Sequence, residues 1–135
     1  KLQPLSLAFL DLDRFKLVND EHGHLIGSEL LARTADRLQQ LSRPHDMCFR
    51  YGGDEFVILM PQTSANEALH QARSLLDSLM ATEFRMKTGL KLRVSASIGV
   101  STAPRDGAAV HAVIGAADTR MYAVKTSGRG SVRGA

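Results

Sequence analysis

Arg50-Tyr51-Gly52-Gly53-Asp54-Glu55-Phe56 lies between two apolar runs, Met47–Tyr51 and Phe56–Met60. Two glycines followed by two adjacent carboxylates, flanked by strand-forming segments, spell a β-hairpin whose tip carries acid groups. Gly-Gly permits backbone angles that other residues resist and lets a ligand approach the main chain. Asp54 and Glu55 then sit on a turn anchored from both sides. That placement suits a divalent cation, and a cation suits phosphate chemistry. Taken alone, the segment is equally compatible with an ordinary hairpin ending in a solvated acidic tip, because turns favour Gly and Asp for local reasons.

Working outward, Leu5–Leu10 is a short run with apolar groups on both faces, which predicts a central strand. It ends in Asp11-Leu12-Asp13, so a second pair of carboxylates stands at a strand end. The order Asp11-Leu12-Asp13-Arg14-Phe15-Lys16, Asn19-Asp20, Gly23-His24, then Arg50 to Phe56, then Ala117-Asp118, Met121-Tyr122, Lys125 and Gly128-Arg129 resembles the GGDEF domain of diguanylate cyclases. The resemblance covers nearly the whole chain.

Composition agrees without identifying the family. A chain of 135 residues with 44% hydrophobic content suits one domain with its own core. Seventeen Lys and Arg against 14 Asp and Glu give a net charge of +3, which fits an anionic ligand and falls short of a nucleic-acid-binding surface. The single cysteine, Cys48, lies in an apolar strand and reads as a structural thiol in a reducing compartment, so a cytoplasmic location is expected. No apolar stretch approaches the roughly 20 residues that span a bilayer, and no signal peptide is recognisable.

The periodicity predicts an α/β (α+β) domain in the order β-α-β-β-α-β-α. Gly27–Leu41 reads as a helix stopped by Pro44, with Leu31, Ala35 and Leu38 on one face. Ser64-Ala65-Asn66-Glu67 is a capping box ahead of a stripe of Ala68, Leu69, Ala72, Leu75, Leu76 and Leu79. Leu92, Val94, Ala96, Ile98 and Val100 alternate with polar or small residues as a half-buried strand. A last helix turns Val110, Val113, Ile114, Ala117, Met121 and Val124 inward, with Gly128 placed to cap it. The Gly-, Ser- and Arg-rich stretch 127–135 reads as a tail free to be flexible. The resemblance implies a mostly antiparallel central sheet flanked by helices, similar to polymerase palms and class III nucleotidyl cyclases. It also implies that residues 1–135 form a single catalytic domain. Relatives usually begin with a segment like Asp-x-Leu-Thr-x-Leu-x-Asn-Arg and carry a sensory module. Neither is in this chain, which reads as the catalytic piece of a longer protein.

The implied chemistry is the head-to-tail joining of two nucleoside triphosphates, one per domain of a homodimer, with loss of pyrophosphate. Such phosphoryl transfer needs charge neutralisation and in-line positioning. The resemblance assigns two Mg²⁺ or Mn²⁺ ions per half-site to Asp11, the carbonyl of Leu12, and Asp54. It gives Asp54 or Glu55 the removal of the 3′-proton and sets Arg50 facing the transferring phosphate. Backbone N–H groups around Arg14 and Phe15, with Lys16, Lys125 and Arg129, would cradle the terminal phosphates. Lys125 and Arg129, four apart, are expected to aim from one helix end. His24 would order the loop near the nucleotide or make a purely structural hydrogen bond.

Base recognition departs from the family pattern. Guanine is usually gripped by an Asn, here Asn19, and by the Asp of Gly-His-x-x-Gly-Asp; this chain reads Gly23-His24-Leu25-Ile26-Gly27-Ser28. A carboxylate only accepts hydrogen bonds and so pairs with the N1–H and N2–H₂ donors of guanine, whereas a hydroxyl both donates and accepts. Serine therefore no longer penalises adenine. Alternatively, or in addition, Ser28 is the N-cap of a helix beginning at Glu29. The serine resembles the hybrid promiscuous (Hypr) subgroup, which makes 3′,3′-cyclic GMP-AMP besides cyclic di-GMP and cyclic di-AMP. The expected activity is a cyclic dinucleotide synthase using GTP and ATP. The alternatives are a conventional GTP-only diguanylate cyclase and a non-catalytic receptor of GTP or cyclic dinucleotide. Finally, Arg43-Pro44-His45-Asp46, five residues before Gly52, matches the family's product-inhibition site. Arg43 would clamp product, Asp46 would meet a guanine edge, and Arg73 would add a contact.

Overall fold

The computed structural model describes residues 3–135. Strands β1 (Leu5–Leu12), β2 (Met47–Arg50), β3 (Glu55–Pro61), β6 (Ala96–Ala103) and β7 (Val132–Arg133) form one sheet in the order β2-β3-β1-β6-β7. All pairings are antiparallel except β6–β7. Helices α1 (Phe15–His22), α2 (His24–Leu41), α3 (Ala65–Ala81) and α4 (Val110–Thr126) flank it, and β4 (Phe84–Arg85) and β5 (Lys91–Leu92) make a small separate ribbon. The mostly antiparallel α/β architecture is the one expected.

Side-chain alternation along β1 explains the layering. Ala8, Leu10 and Leu12 pack with Leu30, Leu31 and Leu38 of α2 and the apolar stripe of α3. Leu7 and Phe9 face the other way, onto Val113, Ala117 and Met121 of α4. Burial on both faces is why this strand shows no polar alternation. Asp11 and Asp13 share the parity of Leu7 and Phe9, so the strand delivers both carboxylates to the α4 side. The predicted capping box is present, with Ser64 Oγ accepting from Glu67 N–H and Glu67 accepting from Ser64 N–H.

Several expectations need correction. A helix the periodicity did not show, α1, precedes α2, and Gly23 at φ 89° separates the two. α2 therefore starts at His24, so Ser28 lies inside it and caps nothing. The β6 strand covers Ala96–Ala103 and is buried on both faces, while Leu92 belongs to the β4–β5 ribbon and Val94 to no strand. Its polar positions are buried because they are satisfied or tiny. Ser101 donates to Val113 O at 2.6 Å. Gly99 lies so close to the Ala117 and Met121 backbone that a Cβ would collide with α4. Val110 points to solvent instead of inward. Stretch 127–135 is no free tail, since Val132 and Arg133 pair with Ile98 and Gly99. Gly128 does follow the helix end at φ 127°, and Arg129 N–H closes onto Val124 O as in a Schellman cap.

Candidate active site

The β1–β3 register sets Asp11 opposite Glu55, and Leu12 N–H donates to Asp54 O at 3.1 Å. The strand end and the hairpin tip are thus pinned side by side. Tyr51 N–H donates to Glu55 O at 2.8 Å and closes the tip, and Arg50 Nε reaches the carbonyls of Gly52 and Gly53 at 3.1 and 2.9 Å. The Tyr51 ring stands edge-on to buried Phe9, 5.2 Å between centroids, which fastens the tip to the central strand. The Glu55 carboxylate lies over Gly52, where a Cβ would displace it.

A cavity of about 420 Å³ opens beside this tip, lined by Phe15, Lys16, Asn19, His24, Ser28, Leu31, Arg50, Gly53 and Asp54. The α1–α2 turn supplies one wall and the hairpin the other. Asn19 reaches its place only because position 27 is glycine; its carboxamide occupies the space of a Cβ there. Arg14, at φ 55°, precedes the first turn of α1, which has no side-chain cap and leaves leading N–H groups open for an anion. His24 lines the cavity with no side-chain hydrogen bond to the protein among the described residues.

Beside the cavity the carboxylates crowd. Burial, then the charge of Asp54, push Asp11 up to about 7, against the pull of Lys125. Its Oδ1 is buried without a hydrogen-bond partner. Burial likewise raises Glu55, with Asp118 on α4 and Asp54 adding to it. Lys125 Nζ sits 3.2 Å from Leu12 O, 3.4 Å from Asp11 Oδ1 and 3.5 Å from Asp13 Oδ1. An orphaned carboxylate oxygen and a backbone carbonyl that already hold a cationic group are a donor set suited to a hard divalent cation. Because the set relies on a carbonyl, it is no cluster of three acidic or histidine side chains, and none occurs among the described residues.

The sequence reading placed Asp13 at the strand end but gave it no role in the site. Its side chain, only 3% exposed, accepts from Ser95 Oγ at 2.8 Å, Ser97 Oγ at 2.6 Å and Gly130 N–H at 3.1 Å. It ties β1, β6 and the turn after α4 together. The alternate spacing of Asp11 and Asp13, with serines at 95 and 97, was the available signal. One expectation on the basic residues is corrected. Arg129 lies beyond the end of α4 at φ 66° and is exposed, so it shares no helical face with Lys125. Lys125 rests on carboxylates.

The Arg43–Asp46 motif stands at the other end of the hairpin. Arg43 Nε and its second guanidinium nitrogen donate to the two Asp46 oxygens, both at 3.0 Å, and Arg43 N–H adds a third bond at 3.1 Å. Asp46 is buried and turned wholly onto Arg43, which corrects the expectation that it presents an edge to a ligand. Arg73 lines a separate cavity with Leu76, Asp77 and Gly130–Val132, beside β7, the opposite edge of the sheet from β2. Cys48 is a half-buried thiol pushed up to about 11 by desolvation and is inert at neutral pH. No helix of the described residues is long and apolar enough to cross a membrane.

The family model described as "Diguanylate cyclase, GGDEF domain" matches residues 1–131. The response regulator PleD of Caulobacter vibrioides is 39% identical over 132 residues, covering 97% of this chain and 29% of PleD. Diguanylate cyclase DosC of Escherichia coli K12 is 34% identical over 129 residues, 96% of this chain and 28% of DosC. The chain spans under a third of these relatives' length. Among solved structures, the GGDEF domain of TpbB (YfiN) from Pseudomonas aeruginosa superposes with a TM-score of 0.93 at 35% identity, over 98% of this chain and 83% of that one. The GGDEF domain of DgcB from Caulobacter crescentus, in complex with c-di-GMP, gives 0.88 at 26% identity, over 98% and 78%.

Proposed function

Since the chain belongs to the GGDEF domain family of diguanylate cyclases, we propose that residues 1–135 act as one catalytic half-site that joins two GTP molecules into cyclic di-GMP. The observation that carries this reading is the single cavity combining Asp54 and Arg50 from the hairpin with Lys16, Asn19, His24 and Ser28 from the α1–α2 wall. Its volume of about 420 Å³ suits one nucleotide, and on this reading the reaction needs a second copy facing the first. In each half, the 3′-oxygen of one nucleotide forms a bond to the α-phosphorus of the other, the α–β anhydride breaks, and pyrophosphate leaves. The 3′-proton passes to Asp54 or Glu55, whose crowded setting raises the basicity of Glu55.

Asp11, the Leu12 carbonyl and Asp54 would hold Mg²⁺ or Mn²⁺, which supplies neutralisation of the phosphate charge when bound. The open N–H groups at the start of α1, with Lys16, then Lys125 and Arg129, receive the terminal phosphates. Asn19 meets the base. The cyclic dinucleotide product binds at Arg43, whose guanidinium remains 38% exposed while Asp46 holds it in place. A pure receptor would have no use for Asp11, Asp54 and Glu55 at one strand end.

A second reading has its own observation. Ser28 lines the cavity from inside α2, makes no cap, and its hydroxyl has no hydrogen bond to the protein among the described residues. Its hydroxyl is therefore free to meet either purine, which supports use of ATP beside GTP and a mixed cyclic GMP-AMP product. Purified protein incubated with GTP, ATP or both, with Mg²⁺, and products separated by mass, tests both readings. Cyclic di-GMP from GTP alone, with no adenine incorporated from the mixture, supports the first and removes the second. No cyclic product from any mixture, at concentrations where a dimer is measured, removes both.

A further inference from the structure

We propose that Lys125 is a built-in surrogate cation: its ammonium, backed by Asp13, rests on Asp11 and the Leu12 carbonyl, two of the groups a divalent metal would use, and it must withdraw before metal binds fully. The inference rests on the metal reading above. Three oxygens surround the ammonium at 3.2 to 3.5 Å, yet only the Leu12 carbonyl makes a hydrogen bond with it. Asp11 Oδ1, the nearest carboxylate oxygen, remains buried and unbonded. The ammonium neutralises the pocket without saturating it, as an exchangeable ion does.

The mounting suits a moving part. Lys125 lies in the last turn of α4, one residue before the helix ends at Thr126, on a four-carbon stem. Asp13, by contrast, is fixed by Ser95, Ser97 and the Gly130 N–H. It can keep one end of the ion pair while the ammonium swings from Asp11 and Leu12 O toward a triphosphate. Two positive charges within a few ångströms repel strongly where water is scarce. The free domain therefore holds metal weakly, and a phosphate that draws Lys125 away strengthens metal binding. By linkage, metal strengthens phosphate binding equally. Asp13 is a positioning residue in this scheme, and it touches neither metal nor nucleotide.

The test reads metal directly. Mn²⁺ is titrated into nucleotide-free protein, with free ion followed by electron paramagnetic resonance, for the wild type, Lys125→Met and Lys125→Met/Asp11→Asn. Circular dichroism confirms folding, and Lys125→Gln replaces the methionine variant if that fails to fold. Lys125→Met should bind Mn²⁺ at least about fivefold tighter than wild type, the lower range of coupling between linked sites, and the double variant should lose the gain. A merely structural ion pair predicts equal or weaker binding in Lys125→Met. Equal or weaker affinity in Lys125→Met overturns the proposal while the metal site stands; a gain that survives Asp11→Asn overturns the proposal and removes Asp11 from the metal set. Absence of Mn²⁺ binding in all proteins, with GTP present or not, removes the metal site and this inference together.

Discussion

The β2–β3 hairpin has two ends that treat their carboxylates in opposite ways. At the end where the chain enters β2 and leaves β3, Asp46 is fully bonded by Arg43, whose guanidinium also donates to Thr63 Oγ1 at 2.7 Å. At the tip, no cationic side chain bonds Asp54 among the described residues, and Asp11 beside it keeps an orphaned oxygen. The first end stabilises the fold; the second leaves polar groups unsatisfied in a partly buried place, which ordinary folding disfavours. Such local inconsistency is expected where binding or chemistry supplies the missing partners.

Removing Asp54 is the severest way to test the contrast. Asp54→Ala should lower product formation by about a hundredfold or more, the scale for losing an electrostatic partner of a transition state, and leave the melting temperature nearly unchanged. Mass-separated products and a thermal melt check both halves. Undiminished turnover, or a collapse of stability, would show that the tip is no more open than the other end.

The closed end should answer in the reverse sense. Arg43→Ala leaves the buried Asp46 carboxylate without its guanidinium and should cost about 1–3 kcal/mol in denaturant unfolding. The same variant should bind cyclic di-GMP more weakly by calorimetry. Arg43→Ala/Asp46→Ala should regain part of the stability, because no uncompensated charge remains, and none of the product affinity. If the single variant is as stable as wild type, the bidentate pair is not what closes this end.

Ser28→Asp sharpens the open side from its other wall. The residue is exposed on α2, so the substitution should barely alter stability. A carboxylate there accepts from guanine N1–H and N2–H₂ and opposes adenine N1. If the wild type makes mixed product from GTP and ATP, the variant should shift output toward cyclic di-GMP by roughly tenfold. An unchanged ratio in a folded, active variant would show that position 28 does not read the base.

The sequence showed the open end more clearly than the closed one, for a physical reason. Gly-Gly-Asp-Glu between apolar runs, and Asp-x-Asp at a strand end, are local patterns, and the β1–β3 register brings Asp11 and Glu55 together. The partners of Asp13 lie 82 to 117 residues away, which no local pattern reveals. Arg43 and Asp46 are close in sequence, but their mutual bonding depends on burial, and Asp46 read from sequence as a free acceptor. Helix α1 was missed because it is only eight residues long and turns just Phe15 and Val18, both half-buried, onto the core, too short a stripe to show a period. Strand β6 misled for the converse reason: its serines and glycine alternate like a solvent face but are covered by α4.

The gentlest perturbation is pH, and its sign separates the two kinds of carboxylate. Asp11 titrates near 7 in the fold against an ordinary 3.8, so between those values the native state holds a proton that the unfolded chain has lost. Its contribution is fully present below about 3.8 and is lost as pH rises through 7. The paired carboxylates act oppositely. Arg120 bonding holds Asp106 below its ordinary range, and the Ser64 backbone bond does the same for Glu67. Their contribution is present above the ordinary carboxylate range and is lost only as pH falls through their depressed values. From pH 5.5 to 8 Asp11 therefore dominates among these carboxylates, and the metal-free protein should lose melting temperature over that window. Asp11→Asn should flatten the trend. Mg²⁺ or Mn²⁺ favours the ionised Asp11, so the rise in melting temperature on adding metal should be larger at pH 8 than at pH 5.5. Equal slopes for wild type and Asp11→Asn in paired melts would show that this carboxylate is not held in an unsatisfied state, and the contrast between the two hairpin ends would lose its energetic basis.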